Sequence, residues 1–557
     1  MAEHSADERQ REHLTRGDRK RQLGGLLIAT AAFVAIIMIP TPTGLSPAAH
    51  TLAATTVLMA VLWVSQAIPI AATALIPLAA YPLLGIQPAE TVSRSYMNAN
   101  IFLFFGGFIV ALGIERWGLH RRMALHVVHR IGGSPRRIVL GFMMATAFLS
   151  MWISNTATTM LMLPIAMALL RTLEDVGVAP EADSAERDQS HRALARLGVA
   201  LMLGIAYSAS CGGFATLVGT PTNIAFMGQW RSLFPDAPEP SMAEWIVVFL
   251  PLTVLMLAAA FAQLTWKLPR QIGSAQIGRS FFGERLRALG RPSAGEWTML
   301  VLFAMTAALW ISREPVEFQI AGREEPLTLV RGWSPAYERF LVDRFGADPS
   351  AAQGAVHDAT VAMLMAVMMF VICVPAANRR WEPLIDWETV EGGMPWGLLL
   401  LFGGGFAMAS AFGSTGLSAW LGETLARSLQ GAPLLMLVAC VCLLMTFLTE
   451  FTSNVATVST LLPILAGAAV TLKVDPRLVM IPATVTASCA FMLPIATPPN
   501  AIVFAGGYVT MGQMARHGLL LNLIGVILVT FITFTLLVPV MGIGFHGLPE
   551  WASPRPP

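Results

Sequence analysis

Charge is scarce in this chain. Of its 557 residues, 13% are Asp, Glu, Lys or Arg, about half the roughly 25% usual in soluble domains. That scarcity excludes a soluble enzyme, an intrinsically disordered chain and a nucleic-acid-binding protein. Lysine is rarer still: Lys20, Lys267 and Lys473 are the only three, and arginine supplies the other basic residues. A formal net charge of +2 points to no partner of either sign. Cysteine is sparse as well. Cys211, Cys373, Cys440, Cys442 and Cys489 all fall in apolar segments, and no pair is spaced as an extracellular staple or a zinc site. They are expected to be buried free thiols. No His–Asp or Cys–His set offers catalysis, so the chain does not read as an enzyme.

What fills the sequence is apolar: 55% of residues are hydrophobic, gathered in runs near the ~20 residues that a bilayer crossing needs. The runs fall at 24–40, 51–68, 70–84, 100–114, 138–170, 195–229, 245–266, 297–311, 359–376, 395–412, 433–470, 477–505 and 518–542. No small-residue cleavage pattern follows the first run, so it reads as a membrane helix and not as a signal peptide. The runs 138–170 and 433–470 are too long for one crossing and too short for two. Each holds a Ser-Asn pair at its middle, which suits a re-entrant hairpin and not a lipid-facing helix. If those two are hairpins and the other eleven runs cross, the basic residues sort to one side. The tail 1–22 and the loops 115–137 and 267–291 then lie in the cytoplasm, as do Arg379 and Arg380. The loops 41–50 and 86–99 lie outside, as do the segment 313–358 and the tail 543–557. The expected fold is an all-α membrane protein of eleven transmembrane helices and two opposed re-entrant hairpins.

The chain also repeats itself. Residues 104–108 match 402–406, 149–158 match 448–457, 163–165 match 462–464, and 219–223 match 496–500, in the same order. The halves run 23–296 and 297–542. The first hairpin enters from the cytoplasm and the second from outside, so the halves are inverted. Inverted repeats with broken helices at matching places mark secondary transporters with a substrate near the midplane.

The repeated motifs suit that chemistry. Ser154-Asn155-Thr156 and Ser453-Asn454-Val455 sit at the hairpin turns, where one helix ends and another begins. The ending helix offers free carbonyls to a sodium ion; the starting helix offers N–H groups and a positive dipole end to a carboxylate. Gly219-Thr220-Pro221 and Ala496-Thr497-Pro498 lie inside apolar runs, and proline there breaks the helix and frees carbonyls. No Arg or Lys lies near these elements in sequence. Glu450, three residues before the second tip's Ser453, either relays protons, strengthens a cation site or fixes the hairpin to backbone. The Phe-flanked glycines at 105–108 and 402–406 read as close helix packing and not as a phosphate cradle.

These residues resemble the divalent-anion/sodium symporters, transporters of di- and tricarboxylates and sulfate, along residues 24–542. The resemblance implies a homodimer in a bacterial inner membrane, with a scaffold domain and a transport domain that moves as an elevator. It implies sodium as the co-transported ion, no organic cofactor and no nucleic-acid partner. A first sodium site would use Ser150, Ser154, Asn155 and the Gly219 carbonyl; a second would use Thr449, Thr452, Asn454 and the Ala496 carbonyl. The substrate carboxylates would meet Ser154, Asn155 and Thr156 on one side and Ser453, Asn454 and Thr497 on the other, with Pro498 lining the pocket. Thr220 is added as the symmetry mate of Thr497, and Val455 replaces a Thr found in some members.

Moving a dianion into a negative interior costs about 4.6 kcal/mol per 100 mV, at ~2.3 per charge, and two sodium ions cancel that charge. The expected function is sodium-coupled import of C4-dicarboxylates such as succinate, malate or fumarate. The alternatives are a sodium-independent dicarboxylate exchanger, a citrate or sulfate symporter, or proton coupling through Glu450.

Overall fold

The computed structural model describes residues 16–131, 133–176, 184–268, 275–318, 327–352, 355–375, 380–429, 431–544 and 547–552. Residues 1–15 of the tail and 269–274 of the loop expected in the cytoplasm, Arg379, residues 319–326 of the segment expected outside and residues 553–557 lie outside the described residues. The helices that position the site are α1 (Arg16–Met38), α2 (Pro47–Ser65), α3 (Ala99–Arg116), α4 (Leu119–Ile131), α5 (Pro135–Ser150), α6 (Asn155–Val176), α7 (Ser184–Phe214), α8 (Pro221–Leu233) and α9 (Met242–Thr265). They continue with α10 (Ala275–Ala288), α11 (Ala294–Ile311), α12 (Asp358–Val371), α13 (Trp396–Thr415), α14 (Leu417–Leu429), α15 (Leu434–Thr449), α16 (Asn454–Thr471), α17 (Arg477–Ala487), α18 (Pro498–Ala505) and α19 (Met511–Ile532). Nine helical stretches among the described residues are long and apolar enough to cross a membrane; shorter apolar helices, α12, α15 and α17 among them, accompany these.

Local sequence sets the helix starts. Ser134 caps α5, with Pro135 at its first position, and Ser241 and Ser293 form capping boxes with Glu244 and Glu296. Two stretches depart from the sequence expectation. The run 70–84 is split into Ile70–Thr73 and Ile76–Leu83, and Ala74 between them accepts a hydrogen bond from the Tyr96 hydroxyl. The basic segment 115–137 holds helix α4, which buries Leu119, Ala124, Leu125 and Val128 along one face. The segment 313–358 carries a two-stranded antiparallel sheet, Val316–Phe318 with Leu327–Val330, and the helix Ser334–Phe345. The cysteine expectation needs correction: all five are free, but only Cys211, Cys442 and Cys489 are buried, while Cys373 and Cys440 are exposed. Cys440 shares α15 with the exposed Leu435, Met436, Leu443 and Leu444, an apolar surface on which a thiol is compatible with lipid.

The glycine motifs bring helices together. A Cβ on Gly106 would stand 2.7 Å from the backbone of Ala362 in α12, and one on Gly404 would stand 2.6 Å from the Ala74 carbonyl. Small residues at such crossings let backbones approach, as in other membrane bundles.

The repeat appears in the packing. Helix α6, which follows the first Ser-Asn pair, packs on α7 of the same copy of the repeat and on α18 of the other. Its counterpart α16 packs on α17 of the same copy and on α8 of the other. Each of α6 and α16 therefore meets the helix before the break in its own copy of the repeat and the helix after the break in the other copy.

Candidate transport site

Both tips form where the Ser-Asn pairs stand. Helix α5 ends at Ser150 and α6 begins at Asn155; α15 ends at Thr449 and α16 begins at Asn454. Ser154 caps α6, its Oγ accepting from the Ala157 N–H at 3.2 Å. Ser453 occupies the matching cap of α16 without a side-chain bond. Ser154, Asn155, Thr156, Ser453 and Asn454 are half-buried, and Val455 is buried.

Oxygen atoms converge at the first tip. Ser150 Oγ lies 2.6 Å from Asn155 Oδ1 and 2.6 Å from the Ala209 carbonyl. One hydroxyl proton faces two acceptors, which leaves lone pairs in excess. Helix α7 ends at Phe214 and α8 starts at Pro221, so the chain at 215–220 is unwound. A Cβ on Gly213 would sit 3.0 Å from Asn155 Oδ1 and 3.2 Å from the Gly219 carbonyl. A Cβ on Gly219 would sit 2.8 Å from the Gly213 carbonyl and 3.0 Å from that of Met151. The two glycines thus clear a space walled by neutral oxygens, the donor set that a transporter offers to sodium. Of the expected first set, Ser150, Asn155 and Gly219 come together here, while Ser154 is engaged in capping.

The second tip is built differently. Thr449 Oγ1 bonds back to the Met445 and Thr446 carbonyls of its own helix, at 2.9 and 3.1 Å. Thr452 Oγ1 donates to the Leu448 carbonyl at 2.8 Å or pairs with Thr457 Oγ1 at 2.6 Å. Asn454 Oδ1 is buried with no partner. Ala496 and Thr497 are buried in the second break, Pro498 is exposed, and Thr497 caps α18 through the Asn500 N–H at 3.4 Å. Thr449, Thr452, Asn454 and Ala496 thus share no hydrogen bond with one another. A cavity of about 130 Å³ opens beside Thr452 and Ser453, walled by Ala60, Trp63 and Val64 of α2. At the first tip, Ser154 and Trp152 border a cleft of about 10 Å³ with Phe104 and Val218.

Glu450 is explained by its partners. It is 1% exposed, and its carboxylate accepts from the N–H groups of Met492 and Leu493, at 2.9 and 3.0 Å, and from Asn522 Nδ2 at 2.7 Å. It ties the second tip to the second broken segment and to α19. In the first half the same junction is made by Thr216 Oγ1, which donates to the Met151 carbonyl at 2.5 Å.

Two residues escaped the sequence reading. Asn223 Nδ2 donates to the carbonyls of Gly213 and Thr216, at 3.3 and 2.8 Å. Asn500 Nδ2 donates to those of Ala490 and Leu493, at 3.1 and 3.0 Å. Both clamps reach back ten and seven residues, and both leave a buried Oδ1 unpartnered. The matched positions of Asn223 and Asn500 in the two Thr-Pro motifs were the available signal. The two breaks also meet: Thr222 Oγ1 lies 2.7 Å from Ser488 Oγ, and Thr220 Oγ1 lies 3.5 Å from Thr222 Oγ1.

Comparison with known proteins gives the family. The family described as the sodium:sulfate symporter transmembrane region matches residues 20–543. The chain belongs to that family. A relative from Staphylococcus saprophyticus, named sodium-dependent dicarboxylate transporter SdcS, is 36% identical over 524 residues, covering 94% of this chain and 92% of its own. The protein of that name from Staphylococcus aureus is 36% identical over 527 residues, covering 94% and 93%. The solved structure of MtrF from Neisseria gonorrhoeae aligns over 95% of this chain and 97% of its own, with a TM-score of 0.50 and 14% identity. That likeness concerns the fold alone. Membership of the symporter family makes the chain a multi-pass membrane transporter and not an enzyme.

Proposed function

We propose that this chain imports C4-dicarboxylates such as succinate, malate and fumarate, with sodium ions as the co-transported cations. The observation that carries the reading is the cluster of neutral oxygens from Ser150, Asn155, Ala209, Gly213 and Gly219 at the first tip. Such a set stabilises a hard cation without a fixed negative charge, so the cation's own charge remains available to a substrate carboxylate. The N-termini of α6 and α16 supply the complementary N–H groups. Ser154, Asn155, Thr156 and Thr220 then face one carboxylate, and Ser453, Asn454, Thr497 and Pro498 the other, with Val455 closing the second side. Thr449, Thr452, Asn454 and the Ala496 carbonyl form the second sodium site once the two threonine hydroxyls turn from their own helix. The relatives named for sodium-dependent dicarboxylate transport support this substrate class over sulfate, which the family's description names.

The finer architecture belongs to the same reading. Eleven crossings and two opposed hairpins, 138–170 and 433–470, put the N-terminus in the cytoplasm and the C-terminus outside a bacterial inner membrane. The reciprocal packing of α6 and α16 on each other's half supports the division at 296/297 and the inversion of the halves. A homodimer held by a scaffold, with a transport domain that moves as an elevator, completes it.

The test is uptake of labelled succinate into proteoliposomes under an inward sodium gradient, against a matched choline control. Accumulation only with sodium is the expected result. Uptake without sodium, faster with succinate inside, would make the protein an exchanger, and transport of sulfate or citrate alone would change the substrate.

A further inference from the structure

We propose that the groove between α7, α9 and α19 is a binding site for an anionic phospholipid. The groove has a volume of about 1230 Å³, is lined by residues of these three helices, of 266–268 and of the 507–510 turn, and lies apart from both tips. Arg196, Lys267 and Arg516 stand along it, and no Asp or Glu lines it. All three basic residues are exposed. Arg196 donates to the Lys267 carbonyl at 3.4 Å, which draws α7 to the end of α9. Among the described residues the Lys267 ammonium and the Arg516 guanidinium have no hydrogen-bond or ion-pair partner.

Beside this cationic rim the walls are apolar: Ala259 and Ala262 from α9, Leu520 and Ile524 from α19. Leu520 is 48% exposed, and Ile527, one to two turns further along α19, is 67% exposed. Both α9 and α19 belong to stretches apolar enough to cross the membrane, so this wall faces hydrocarbon. Trp266, just past the end of α9, is 80% exposed, and an exposed indole at a span's end marks the headgroup level. Cations and an indole at one level, with an apolar wall leading away from them, fit a phosphate headgroup at the rim and acyl chains along the wall. A free anion would leave the wall uncovered. A zwitterionic lipid would bring its own cation against three others. Charge complementarity therefore selects a lipid with net negative charge.

The site also bears on transport. Gln263 Nε2 donates to His517 at its carbonyl, 2.9 Å, and lies 3.0 Å from its Nδ1, locking α9 to α19. The lipid would complete the brace by joining both to α7, the helix that carries Gly213.

Native mass spectrometry of the full-length protein tests this, with phosphatidylglycerol and phosphatidylcholine of identical acyl chains added to the detergent-purified chain. The wild type is expected to retain phosphatidylglycerol selectively. The variant R196Q/K267Q/R516Q is expected to bind it on the order of a hundredfold more weakly, and R196K/K267R/R516K to restore binding. Equal retention of the two lipids, undiminished binding by the triple glutamine variant, or displacement of the lipid by equimolar inorganic phosphate would overturn the proposal. Monodisperse elution checks the fold of the triple variant. If it fails that check, R516Q alone decides: about fivefold weaker binding is expected, and no change overturns the site.

Discussion

The two helix-to-helix turns at 151–154 and 450–453 carry the same Ser-Asn pair at matched positions, yet their side chains are set differently. At the first, Asn155 Oδ1 lies against Ser150 Oγ, and glycines at 213 and 219 let the unwound backbone close around it. At the second, Asn454 Oδ1 has no partner and Thr449 is turned to its own helix. Measured back from the clamping asparagines, Ala490 and Ala496 stand where the first half has Gly213 and Gly219. The anchors differ as well: a neutral hydroxyl, Thr216, holds the first tip and a carboxylate, Glu450, the second. A repeat thus preserves backbone geometry while its side chains diverge, and the first tip is the one whose oxygens are already gathered.

The largest effect is expected from removing the amides. Asn155→Ala and Asn454→Ala should each reduce sodium-coupled succinate uptake to background while elution on size exclusion stays unchanged; wild-type uptake in either would remove that tip from the site. Next comes the glycine difference. Gly219→Ala puts a methyl 2.8 Å from the Gly213 carbonyl, closer than ordinary contact. It should raise the sodium concentration for half-maximal uptake at least tenfold, although Ala is native at the matched position 496. The reverse change, Ala496→Gly, should alter that value by less than about twofold. Equal effects of the two would erase the asymmetry between the tips.

The anchors give a smaller, structural readout. Glu450→Gln exchanges one carboxylate oxygen for an amide donor that faces N–H groups, and should cost about 1–3 kcal/mol of stability. Thr216→Val removes one neutral hydrogen bond and should cost about 1 kcal/mol. Thermal unfolding in detergent ranks the two. Glu450→Gln is also expected to leave the pH profile of uptake unchanged; a lost pH dependence would restore the proton-relay reading. The smallest effect lies outside the membrane helices. Burial alone would raise the Glu239 carboxyl, but the hydrogen bond from His357 and the nearby charges of Arg231 and Arg313 hold it below its ordinary 4.5. A depressed carboxylate stabilises the fold above its unfolded value and loses that contribution as pH falls through its folded value. Glu239→Gln should therefore lower the melting temperature slightly at pH 7 and leave it unchanged at pH 3.

Local features were legible in the sequence. The run 245–266 became the helix Met242–Thr265, the Ser-Asn pairs fell at the tips, and Pro221 and Pro498 opened new helices, because hydropathy, capping and proline act within a few residues. Contacts across the chain were not legible. Nothing near Glu450 names Met492 and Asn522 as its partners, and an asparagine following proline does not announce that it clamps carbonyls seven and ten residues back. The arginines of helix α4 hide an apolar face that only packing reveals, so the sequence there reads as a loop. Cys373 and Cys440 lie in apolar runs, but the side of a helix or strand that meets lipid is apolar too, so composition could not tell exposure from burial.

The central claim is that both tips hold sodium. It is tested most directly by the thermal shift that sodium, against choline, gives the purified protein without substrate, since a ligand that binds only the folded state stabilises it in proportion to its occupancy. The account predicts a sodium-specific shift that shrinks in Asn155→Ala and in Asn454→Ala and vanishes in the double variant. A shift of wild-type size in the double variant would contradict it.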